Sequence, residues 1–122
     1  MNFMNHRELL LQLEDLKANP RPSYEAKSMI DPFRGCVMNL TILFASSVRT
    51  FGNIFDSVYE SGYTITGKIK DKKVEVNLLL VPEENSMVES LRPGDEILLP
   101  VRVLDFDSFY QRAILGSVLK DN

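Results

Sequence analysis

The segment Ser90-Leu-Arg-Pro-Gly-Asp-Glu-Ile-Leu-Leu-Pro-Val-Arg-Val constrains the fold of this chain more than any other. Pro93-Gly94 turns the backbone, and the alternation from Asp95 to Leu104 places Ile97, Leu99, Val101 and Val103 on one face of a strand. Pro100 has no N–H to give to a ladder, which predicts an edge position or a bulge there. From Gly62 to Gly116 the order of elements is strand, tight turn, strand, short helix, turn, strand, loop, strand. A long strand over Gly35 to Thr50, bent near Ala45-Ser46-Ser47, precedes them. Five strands in that order suit a small Greek-key barrel with a short helix between strands 3 and 4.

The remaining strands follow from local pattern. Tyr63, Ile65, Gly67 and Ile69 alternate with Thr64, Thr66, Lys68 and Lys70, and Asp71-Lys72 connects this strand to the next as a hairpin. Lys73 to Leu78 continues the alternation until Leu79 and Val81 break it, which predicts cover on both sides at that end. Glu83 to Leu91 suits a short helix with acidic residues in its first turn. Asp105 to Phe109 is expected as a loop and Tyr110 to Leu119 as the last strand. Ahead of the strands, Asn5 and Glu8 fit a capping box, and Leu9, Leu13 and Leu16 form a helical stripe that Leu10 widens. Pro20 and Pro22 end that helix after about three turns. Ser23 to Ile30 suits a second short helix that Asp31-Pro32 stops.

A length of 122 residues fits one domain. Residues 1–34 are expected as a helical arm packed on a barrel of residues 35–122. Net charge is −3. Residues 1–34 hold five basic and five acidic side chains, so 14 − 5 = 9 basic and 17 − 5 = 12 acidic ones fall in residues 35–122. Acidity on the strands argues against a phosphate-driven surface. Cys36 is the only cysteine and excludes an internal disulfide. The start of the chain lacks the charge and apolar pattern of a signal peptide, and the apolar runs are too short for a membrane span. A soluble cytoplasmic protein is the expectation.

The layout resembles the OB-fold. The matching pieces are the long bent first strand, strands 2 and 3 joined at Asp71-Lys72, the helix between strands 3 and 4, and the entry Leu91-Arg-Pro-Gly-Asp95 to strand 4. The match covers Gly35 to Lys120. A fainter likeness is to bacterial anticodon-binding-like OB domains, in which a helical segment precedes the first strand, here Leu9 to Ile30 before Phe33-Arg-Gly-Cys-Val. An SH3-type small barrel is the alternative. The OB resemblance implies a binding face on strands 2 and 3 and the loops after strands 1 and 4.

Catalytic and metal chemistry are poorly supplied. Cys36 and His6 stand alone in different segments, so no zinc ligand set exists, and no glycine-rich loop joins a strand to a helix. No enzyme activity, metal or cofactor is expected. Two binding readings remain. One is a protein-interaction or assembly module that uses the loop face or the N-terminal helix. In that reading an exposed stripe of Leu9, Leu13 and Leu16 would serve a partner helix or a homo-oligomer, and a buried one would close the barrel. The alternative is weak single-stranded DNA or RNA binding. It would use Arg49, Lys68, Lys70, Lys73, Arg102 and Arg112 for phosphates and Phe51, Phe55, Phe106 and Tyr110 for stacking.

Overall fold

The computed structural model describes residues 5–52 and 55–118. The Asn5 side chain of the predicted capping box, and Leu119 at the end of the predicted last strand, lie outside what is described. Five strands, β1 (Val37–Arg49), β2 (Tyr63–Ile69), β3 (Glu75–Leu79), β4 (Glu96–Asp107) and β5 (Arg112–Ser117), form one mixed sheet that closes in a ring in the order β1-β2-β3-β5-β4. Every neighbouring pair is antiparallel except β3 and β5, which are parallel. Helices α1 (Asn5–Ala18) and α2 (Ser23–Ile30) precede the sheet, and a 3₁₀ turn followed by α3 (Asn85–Glu89) fills the connection from β3 to β4.

β1 serves two neighbours because it bends. Its first half, Val37–Leu43, pairs with β4, and from Ile42 onward it pairs with β2. The register slips between Phe44 and Ser46, at the bend expected from Ala45-Ser46-Ser47. Gly67 faces Phe44 at that point. A Cβ on Gly67 would run into the Leu43 carbonyl and the Ile42 side chain, so glycine permits the close approach the bend requires. At the hairpin, Asp71 takes a positive φ of 66° and the Lys72 N–H bonds back to the Ile69 carbonyl.

One expectation about β4 is corrected. The strand does not stop at Leu104. A second register slip between Val103 and Asp105 lets it continue to Asp107 against β5. The extra residue shifts the alternation by one, and Phe106 then points inward, 2% exposed. Pro100 stands where β4 has a ladder on one side only, as expected of an edge position, because the pairing with β5 begins at Val101. It faces Asn39 of β1, and its carbonyl accepts from the Val118 N–H at 3.3 Å, beyond the last rung of the β4–β5 ladder. Its nitrogen faces the same side, where the ladder has ended, so no regular rung is lost.

The inward positions, including Leu40, Ile42, Ile65, Val76, Leu78, Val101, Val103 and Leu115, form one apolar cluster. Leu9, Leu13 and Leu16 belong to it, as do Ala26, Ile30 and Phe33. The leucine stripe is therefore internal and presents no seam to a partner helix or a second copy, contrary to the exposed-stripe reading. Each buried leucine is worth about 1.5–3 kcal/mol relative to exposure, and that gain holds the helices to the sheet. Ion pairs add to it: Lys17 with Glu75, Lys72 with Glu14, and Lys27 and Arg34 with Asp105. No helix among the described residues is long and apolar enough to cross a membrane.

Candidate functional site

The outer surface over β1, β2, β3 and β5 is organised in rows. Val48, Thr64, Leu79 and Gly116 face one another across the four strands, and Ser46, Thr66, Asn77 and Ile114 form the next row. Their inward neighbours Ile65, Val76, Leu78 and Leu115 are buried, so the period-2 pattern of the sequence sets both faces. Residues 55–62, which lead into β2, lie over one end of this surface through Tyr59. Residues 108–111 connect β4 to β5 at the start of β5.

Tyr59 anchors the first of these segments. Its side chain is fully buried and packs with Leu79 and Val81 in a second small core on the outside of the sheet, the double cover that the broken alternation implied. The Tyr59 hydroxyl donates to the Ser117 carbonyl at 2.9 Å and accepts from Arg102 Nε at 3.0 Å. Arg102 Nη2 pairs with Asp56 at 2.8 Å, and Asp56 also accepts from the Val58 N–H, starting the 3₁₀ turn that carries Tyr59. Hydrogen bonding from Arg102, then from Val58, holds the Asp56 carboxyl below its ordinary range, and Asp56 in turn raises Arg102. Gly116 lies directly under the Tyr59 ring, where any Cβ would overlap the hydroxyl.

Beside this anchor lies a cleft of about 380 Å³ lined by Thr50, Gly52, Phe55, Thr64, Asn77, Leu79 and Ile114. The Thr50 and Thr64 hydroxyls bond each other at 2.7 Å. Asn77 Oδ1 accepts from Thr66 at 3.2 Å, which turns the amide nitrogen to another partner. The walls are thus mainly apolar, with hydroxyl and amide groups at fixed points, the usual composition of a small recognition cleft. Of its lining residues, only Phe55 is among the site residues expected from sequence. Threonine and asparagine at outward positions of β2 and β3 were the available signal, since asparagine is a poor strand former.

The expected cations divide into two groups. Arg102 is paired with Asp56, Lys70 with Glu96 at 2.9 Å, and Arg112 with Glu75 at 3.0 Å. Glu96 raises Lys70 above its usual value. Burial pushes Glu75 upward, but Arg112 and Lys17 outweigh it and hold the carboxyl low. Arg49, Lys68 and Lys73 are exposed and make no ion pair among the described residues. Arg49 donates to the Ser61 carbonyl and lies over the rings of Phe51 and Tyr63.

The expected aromatics divide as well. Phe106 is in the core and cannot stack on a ligand, because the β4 bulge turns it inward. Phe51 is 68% exposed, Phe55 partly so and Tyr110 60%. Phe109, 84% exposed, makes an edge-to-face contact with Tyr110, and Arg112 lies over the Tyr110 ring at 5.3 Å. The loop acids are engaged locally: Asp107 accepts from the Phe109 and Tyr110 N–H groups, Glu60 accepts from Gly52 N–H, and Asp105 belongs to the α2 contact. Comparison with family models, curated proteins and solved structures gives no match.

Proposed function

We propose that this chain is a non-enzymatic binding module built on an OB-like Greek-key barrel. Its outer face over β2, β3 and β5 would take a segment of a protein partner. The observation that carries this reading is the cleft between Phe55, Leu79 and Ile114, set beside cations already neutralised by carboxylates. An apolar side chain of the partner fills the cleft, and the Thr64 hydroxyl and Asn77 amide meet its backbone. Phe51, Phe109 and Tyr110 add exposed ring area at the margins, the residue type that dominates protein interfaces. The ring order β1-β2-β3-β5-β4 and the bent β1 support the OB-like assignment.

A second reading, weak binding of single-stranded DNA or RNA, draws on the Arg49–Phe51 and Arg112–Tyr110 contacts, which set a guanidinium beside an exposed ring. Three of the six cations assigned to it are spent on ion pairs.

Panning a displayed random-peptide library against the protein separates the two. The protein-segment reading expects enriched peptides with a common apolar residue, bound almost equally at low and physiological salt and lost on Ile114→Asp. No enrichment, or enrichment unaffected by Ile114→Asp, refutes it.

A further inference from the structure

Among the described residues, the second half of β1 has a neighbour on one side only, as does the start of β4 at Glu96–Leu99. β1 pairs with β4 only as far as Leu43, and Phe44 closes that ladder by bonding Asp95 and Gly94. From Ser46 to Arg49 it pairs with β2 alone. Alternation assigns the groups on the other side. Gly62 faces β1, because Thr50 N–H bonds its carbonyl, and Tyr63 faces away, because its carbonyl accepts from Leu80 N–H. Thr64 and Thr66 therefore face β1, and their partners Val48 and Ser46 face β2. The N–H and C=O groups of Ser47 and Arg49 point outward, and no described residue bonds them. Ala45, Ser46, Val48 and Arg49 are all exposed. Lysine or proline, the usual guards of a free edge, are absent from residues 45–49.

We propose that this edge pairs antiparallel with the same edge of a second copy of the chain, about a two-fold axis at Val48. An extended backbone is the ligand that supplies donors and acceptors at two-residue spacing, and this edge is complementary to itself. With Val48 facing Val48 of the second copy, Ser47 meets Arg49 and Arg49 meets Ser47. All four outward N–H groups and all four outward carbonyls in the pair are then satisfied. Val48, 66% exposed in the single chain, falls at the close, non-hydrogen-bonded position where cross-strand side chains touch. Arginine faces serine, so no like charges oppose each other. The contact is short and buries less than the roughly 1,200 Å² of a standard interface. The dimer is therefore weak and concentration-dependent. It uses neither the leucine stripe nor the cleft.

Amide hydrogen exchange of the intact protein across a concentration series tests it, alongside sedimentation equilibrium. The amides of Ser47 and Arg49 exchange about tenfold more slowly once monomer has fallen to about a tenth, while those of Ser46 and Val48, bonded to β2, do not change. Val48→Glu sets like charges face to face at an exposed position, and Ser47→Pro removes an outward N–H that the β2 ladder does not use. Both variants remain monomeric at concentrations where the parent associates. A parent that stays monomeric, concentration-independent exchange at Ser47 and Arg49, or association that survives Val48→Glu each overturns the proposal.

Discussion

Removing one oxygen atom, in Tyr59→Phe, tests how residues 55–62 are held over the sheet. The tyrosine ring is fully buried and phenylalanine keeps its volume, so no cavity forms and only polar terms change. Two bonds are lost. Arg102 retains Asp56 through Nη2 and is half-buried, so water can replace the bond to Nε at little cost. The Ser117 carbonyl has no such recourse: its residue is 4% exposed and loses its donor. A buried acceptor left without a partner costs about 1–3 kcal/mol. A loss of about 1.5–2 kcal/mol is expected, equivalent to a fall in Tm of about 5–8 °C for a chain of this size. In urea, with a slope of about 1.5 kcal/mol/M, the midpoint falls by about 1 M. Tyr110→Phe, at an exposed ring, is the control and changes stability by less than about 0.5 kcal/mol. If Tyr59→Phe unfolds within about 0.3 kcal/mol of the parent, at unchanged slope, the Tyr59 bonds do not hold this segment.

Further outcomes follow from the same packing. Gly116→Ala drives a methyl group into the Tyr59 ring and costs about 1–3 kcal/mol, measured by urea unfolding. Leu13→Ala costs about 2–5 kcal/mol, because the stripe is core. Acid weakens the fold. Burial raises Asp105, but the Phe106 N–H, Lys27 and Arg34 outweigh it and hold the carboxyl below its unfolded value; Glu75 is lowered likewise. A lowered carboxylate stabilises fully above its unfolded pKa of about 4 and loses that contribution as pH falls through its folded pKa. Urea midpoints should drop below about pH 4, and Asp105→Asn should flatten that dependence while losing about 2 kcal/mol at neutral pH.

The strand order was legible because the period-2 pattern is clean in β2 and in β4 up to Val103, and Pro93-Gly94 and Asp71-Lys72 mark turns on their own. The bend of β1 showed as Ala45-Ser46-Ser47, small residues between apolar runs. What escaped was set by register. One bulge residue between Val103 and Asp105 reversed the alternation, so Phe106 resembled a loop aromatic and is core. The cleft was hidden for a related reason: Thr64, Asn77 and Ile114 come from three strands and meet through the β2–β3 and β3–β5 registers. Charge pairing across the sheet, as between Arg112 and Glu75, is likewise absent from linear spacing.

Fluorescence anisotropy of labelled single-stranded DNA and RNA, at low and physiological salt, tests the choice of partner most directly. No salt-sensitive binding is expected, because Lys70, Arg102 and Arg112 are held by Glu96, Asp56 and Glu75. Micromolar binding that weakens as salt rises, and disappears on Lys68→Glu, would contradict that expectation and assign the face to a nucleic-acid strand.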